Sequence, residues 1–157
     1  MKAVIDSVSL IFLLKIPKLE ELLNTYVNEL FVTDEVWHEV FESKISHELN
    51  PISQLNLKVK RKNPRQKIKT NLGAGELSSI SLALEERIFF LSDDRKAILF
   101  AKSLNLNTAT TLSVLIRSKK DKLIDGGEAK KILFELVEKG FYISSELFVE
   151  VLKILES

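Results

Sequence analysis

The chain predicts an α/β fold in which a parallel sheet is covered by helices on both faces, and three observations carry this. Short apolar runs alternate with helical-period segments, the pattern of parallel strands joined by crossover helices. Ile88–Leu91 is continuously apolar, as a central strand buried on both faces must be. Several apolar runs end in an acid or hydroxyl suited to open the next helix, at Asp6-Ser7, Thr33 and Asp93-Asp94.

Taken in order, Lys2–Asp6 reads as a short buried strand ending in an acid. Ser7 is suited to cap a helix with Leu10, Ile11 and Leu14 at helical spacing. Pro17 fits a turn or the first position of a second helix carrying Leu19, Leu22, Leu23 and Tyr26. Leu30–Val32 is a second strand, and Thr33 caps a helix with Val36, Trp37, Val40 and Phe41 inward. Residues 51–70 read as a long basic loop, with an edge strand over Leu55–Val59 as a further reading. Gly73-Ala74-Gly75 opens a helix to about Glu86, and Ile88–Leu91 is a strand. Asp93-Asp94 starts a helix to about Leu104, and Leu106–Ala109 is a weak strand. Helices follow at Thr111–Arg117, Gly127–Lys139 and 144–157.

The 157 residues fit one domain, 1–157, with 45% hydrophobic and 29% charged residues excluding disorder and collagen-like repeats. No apolar stretch approaches the roughly 20 residues of a membrane helix. Asp6 interrupts the early apolar stretch and no small-residue cleavage site follows, so neither a signal peptide nor a membrane role is expected, and the expected location is cytoplasmic. The absence of cysteine excludes disulfides, thiolate zinc and cysteine nucleophiles. With only His38 and His47, any metal site must be a hard one built from carboxylates.

The net charge of +1 conceals an uneven distribution. Lys58, Lys60, Arg61, Lys62, Arg65, Lys67 and Lys69 form a tract without an acid, and Arg117, Lys119, Lys120 and Lys122 form a second cluster. Such tracts attract phosphate backbones; the plain alternative is a solvated loop.

In open parallel sheets, sites form at the carboxyl ends of strands. Asp6, Asp93 and Asp94 end strands there, although any one of them also suits a helix cap. Glu76 falls within the apolar arc of its helix, between Ile80 and Ala83, and in the first turn, where the macrodipole favours an anion. Glu39 lies one step outside Val36, at the edge of its helix's apolar arc, where a solvated charge is the plain reading. Acids gathered in one pocket raise each other's pKa, and a divalent cation removes that penalty. An all-carboxylate site suits Mg²⁺ or Mn²⁺ and the chemistry of phosphate esters. No Walker loop, dinucleotide fingerprint or nucleophile elbow is present. A receiver-like domain also has acids at strand ends, but no lysine ends a late strand here.

The segments VIDS at Val4–Ser7, VTDEVWHEV at Val32–Val40, LGAGELSSISLALE at Leu72–Glu85 and LSDDRKA at Leu91–Ala97 together resemble the PIN-domain family. The likeness is greatest to the small, free-standing prokaryotic branch related to toxins of type II toxin–antitoxin pairs, and it runs from residue 2 to about residue 150. The resemblance implies a three-layer α/β/α fold with strand order 3-2-1-4-5 and a metal-dependent endoribonuclease leaving 3′-hydroxyl and 5′-phosphate ends. It assigns catalysis to Asp6, Glu39, Glu76 and Asp94, and metal binding to Asp6, Glu76 and Asp94, with Asp93 as the neighbour that could take the place of Asp94. Ser7, Ser92 and Thr111 fall where the family places polar side chains. The chain departs from this branch at Lys96, Ile98, Thr110 and Ser113. RNA, an antitoxin protein and a second copy of the chain are the implied partners. Apolar stripes at Leu10–Leu14 and Leu19–Tyr26 are the sequence's own argument for a homodimer, and core packing is the other use for them. The rival function is a PIN scaffold with little or no catalysis that binds RNA or protein.

Overall fold

A computed structural model describes residues 1–42 and 55–157. The elements are β1 (Lys2–Ile5), α1 (Ser7–Lys15), α2 (Pro17–Tyr26), β2 (Glu29–Val32), α3 (Asp34–Phe41), β3 (Lys58–Arg61), α4 (Ala74–Glu86), β4 (Phe89–Leu91), α5 (Arg95–Ser103), β5 (Thr108–Ala109), α6 (Thr111–Lys120), α7 (Gly126–Glu138) and α8 (Ser145–Glu156). All neighbouring strands pair in parallel, in the order β3-β2-β1-β4-β5. Val4 lies opposite Phe31 on one side and Phe90 on the other, and Ile5 opposite Leu91. The carboxyl ends of β1 and β4 therefore coincide.

Strand residues alternate between two cores, as a period of two requires. Ala3 and Ile5 of β1, Leu30 and Val32 of β2, and Leu91 of β4 face the larger core, with α1, α2, α3, α6, α7 and α8. Val4, Phe31 and Phe90 face the smaller one, with Ile80, Leu82 and Ala83 of α4 and Ala97 and Ala101 of α5. The expected three layers follow from this alternation. Leu10, Leu13, Leu14, Leu19, Leu22 and Leu23 are all buried in the larger core, so the stripes of α1 and α2 serve the core. Among the described residues no helix is long and apolar enough to cross a membrane.

Three local expectations change, and part of a fourth is not described. The first four residues of the expected 51–70 loop lie outside the described residues. The edge strand lies at Lys58–Arg61, inside the basic tract and displaced from Leu55–Val59. Its single apolar residue, Val59, packs on the larger core while its charged neighbours find acids across β2, which leaves almost no hydrophobic alternation to read. Asp6, rather than Ser7, caps α1, because its carboxylate reaches the Ser9 amide. The α6 helix continues past Arg117 to Lys120, and a basic last turn suits a helix C-terminus.

Candidate active site

Asp6 leaves β1 directly into the first turn of α1, so its carboxylate sits at the sheet's carboxyl edge and is only 2% exposed. It accepts the Ser9 amide at 3.0 Å and the Ser92 hydroxyl. Burial pushes its pKa up to about 6, against the pull of those donors, and the charge of Asp93 adds to the rise. Asp93 follows β4 on the neighbouring strand. It accepts Ser9 Oγ at 2.7 Å, the Thr111 amide at 2.8 Å and Thr111 Oγ1 at 2.5 Å. Burial raises its pKa as well. Ser9 and Thr111 stand in the first turns of α1 and α6, so two helix N-termini converge on this pair of acids.

Asp94 points elsewhere. It is exposed and caps α5, accepting the Ala97 amide at 2.8 Å, while its own amide donates to Ser92 Oγ at 3.1 Å. Of the two adjacent aspartates, Asp93 shares partners with Asp6 and Asp94 serves the helix.

Glu39 and Glu76 form the other side of the edge. Thr33, the cap of α3, shares a 2.7 Å hydrogen bond with Ser78 of α4, and Ser78 Oγ donates to the Gly75 carbonyl at 3.1 Å. These bonds bring α3 and the first turn of α4 together. Glu39 accepts the Ser7 hydroxyl and lies over Gly75, where an added Cβ would stand 2.7 Å from one of its oxygens. Glu76, half-buried, folds its carboxylate back over Gly73. The two glycines are the space the two glutamates use.

The structure thus links Asp93 to Asp6 through Ser9, and Glu39 to Ser7 next to Asp6, with Glu76 beside Gly75. Four hydroxyls, from Ser7, Ser9, Ser92 and Thr111, each reach a carboxylate. Ser7, Ser92 and Thr111 were expected here from sequence; Ser9 was not. Its signal was the cap-to-third-residue spacing of Asp6 and Ser9, the geometry of a capping pair. Among the described residues no three acids or histidines are close enough to hold one metal ion together. An open cavity of about 360 Å³, lined by Leu23, Tyr26, Phe89, Leu91 and Val114 among others, contains none of these acids.

The basic tract is stitched to acids. Lys60 reaches Glu29 at 2.8 Å and Lys58 reaches it at 3.8 Å. Arg61 pairs with Asp34 at 3.0 Å and lies over the Trp37 ring, Lys62 pairs with Glu86 at 2.6 Å, Arg65 with Glu85 at 3.8 Å, and Lys67 with Glu35. The Lys60 hydrogen bond holds the Glu29 carboxyl below its ordinary pKa, and Asn63 with Arg61 does the same for Asp34. Lys69 has no ion pair among the described residues, and neither have Arg95 and Lys96 in the first turn of α5.

Comparison with known proteins places this geometry. A solved structure, that of a PilT N-terminus domain protein, SSO1118, from the hyperthermophilic archaeon Sulfolobus solfataricus P2, superposes with a TM-score of 0.52 over 75% of this chain and 93% of that one. The two are 22% identical, so the likeness is one of fold. No curated protein matches the sequence. The family model DUF3368, described as a PIN domain, matches residues 2–157. The chain therefore belongs to the PIN-domain family, a fold that generally serves nucleases and uses divalent metals.

Proposed function

We propose that this protein is a Mg²⁺- or Mn²⁺-dependent endoribonuclease whose site is the acidic edge formed by Asp6, Asp93, Glu39 and Glu76. One observation carries the reading: Asp6 and Asp93, on neighbouring strands, are both held above the ordinary carboxylate pKa and share Ser9 as a partner. A buried and a half-buried acid that both disfavour their own charge are a site that gains from a cation.

The donor set fits a hard divalent ion. Every candidate ligand is a carboxylate oxygen, and Mg²⁺ is commonly held by one or two carboxylates, with water and substrate phosphates completing its shell. A pair without a third converging acid is therefore sufficient. When bound, such an ion supplies charge neutralisation at the phosphate and a water acidic enough to attack near neutral pH. Asp6 and Asp93 are the residues that hold it. Ser92 orients the Asp6 carboxylate and Thr111 that of Asp93. Glu39, exposed and oriented by Ser7, is the group placed to accept a proton from an attacking water. Glu76 adds an oxygen from the first turn of α4. Asp94 acts as the α5 cap.

RNA is the substrate in this reading. Lys69, Arg95 and Lys96 are among the cations that can meet its backbone without first breaking an ion pair. An antitoxin partner and a homodimer rest on the family resemblance alone. The non-catalytic scaffold remains the second reading, favoured by the absence of a three-acid cluster among the described residues.

The deciding experiment incubates the purified protein with end-labelled RNA and Mn²⁺. Cleavage that stops with EDTA and in Asp6→Asn is the expected result. RNA that binds but stays intact at saturating Mn²⁺ overturns the nuclease reading in favour of the scaffold.

A further inference from the structure

We propose that Ser9 is a positioning residue that holds Asp6 and Asp93 together as one cation-binding pair. This rests on the metal-dependent reading above and assigns a role to a residue that reading does not require.

Ser9 is 1% exposed and makes two bonds of different kinds. Its amide donates to Asp6 Oδ1 at 3.0 Å, and its hydroxyl donates to Asp93 Oδ2 at 2.7 Å. The other partners of the two acids are separate: Ser92 serves Asp6, and Thr111 serves Asp93. Among the described residues Ser9 is thus the one group bonded to both carboxylates. The helix start dictates this placement. Asp6 is the cap, Ser9 is the third residue of α1, and the capping bond itself fixes the Ser9 backbone. The Ser9 Oγ then reaches across from β1's helix to the acid that ends β4.

A carboxylate presents about four lone-pair sites. Asp6 uses two of them on protein donors and Asp93 uses three, which leaves both with capacity for an ion. With donors on each oxygen the planes are fixed, so capture of an ion does not have to freeze them. Without the Ser9 hydroxyl, Asp93 is held only from the α6 side and loses its tie to Asp6.

The chemistry of Ser9 permits a selective test. Any residue except proline keeps the amide bond to Asp6, and only serine or threonine keeps the hydroxyl bond. Ser9→Ala therefore preserves the helix cap and removes only what the hydroxyl supplies. Mn²⁺ binding to the metal-free protein is measured by the loss of the free-ion resonance, alongside the melting temperature without metal. Wild type binds, Ser9→Ala binds about tenfold more weakly, and Ser9→Thr binds like wild type. Ser9→Val has the shape of threonine without its hydroxyl and binds like Ser9→Ala. Wild-type protein that binds no Mn²⁺ overturns the metal-dependent reading and this inference with it. Binding by wild type with equal affinity in Ser9→Thr and Ser9→Val overturns the inference alone, whatever the folding of Ser9→Ala, and leaves the proposed function standing.

Discussion

Two charged regions of this molecule solve opposite problems in opposite ways. At the carboxyl ends of β1 and β4, Asp6 and Asp93 are surrounded by hydroxyls and amides. Along Lys58–Lys67, each cation reaches a carboxylate on β2, α3 or α4. Burial raises the pKa of Asp6 and Asp93 against the pull of those donors, and no cation among the described residues offsets it. Hydrogen bonds from Lys60 at Glu29, and from Asn63 with Arg61 at Asp34, outweigh desolvation there, so those two are lowered. Under the proposed function a cation answers the raised acids of the edge. The tract, basic in sequence, is largely paired in the fold, and its pairs fasten β3 to the sheet.

The strongest way to break this contrast is Asp6→Asn. RNA cleavage should fall by at least about 100-fold, since a ligand matters more than the groups that orient it. Stability should move the other way. The folded pKa of Asp6 lies near 6 against an ordinary 3.8, so the folded state holds an extra proton between those values. Stability due to Asp6 is thus lost as pH rises from about 4 to 6, and the penalty is complete above that. Asparagine removes it, so Asp6→Asn should gain at most about 3 kcal/mol at pH 7.5 and little at pH 4. Equal melting-temperature differences at the two pH values would show that the acid is not strained.

Gly75→Ala sharpens the other side of the edge. The new Cβ would lie 2.7 Å from a Glu39 oxygen, and Glu39 is exposed and can swing away at little cost. Alanine also favours the helix by about 0.5–1 kcal/mol. The expected outcome is an unchanged or slightly higher melting temperature with cleavage about tenfold slower. Full activity would remove Glu39 from the mechanism.

The smallest effects separate paired from unpaired cations. Neutralising Lys60, Arg61 and Lys62 together should cost stability, at about 0–1 kcal/mol for each exposed pair, and hardly alter the salt dependence of RNA binding. Neutralising Arg95 and Lys96 should leave the melting point alone and flatten the slope of log K against log salt by about 0.7 per cation. If the first triple gives the larger flattening, the ion pairs open on RNA and the tract is the binding surface after all.

Much of the fold was legible because its signals are local. β1, β2 and β4 announce themselves by apolar runs, and Thr33, Asp94 and Ser144 by their capping chemistry. β3 was not legible in place, because with one apolar residue in Lys58–Arg61 its pairing depends on acids 27 to 31 residues away in sequence.

The sequence by itself determined which acids stand at strand ends, that no softer ligand is available, and that a basic tract exists. Residue type and spacing decide these, and no folding is needed to read them. Only the tertiary structure separated the partners of Asp93 and Asp94, adjacent residues whose carboxylates bond differently, one to Ser9 and Thr111 and one to the Ala97 amide of α5. The fold also decided that six of the tract's seven cations are occupied, and that Ser9, placed by a helix cap, stands between two acids 87 residues apart. Such facts belong to distances across the sheet, and a distance between remote residues exists only once the chain has folded.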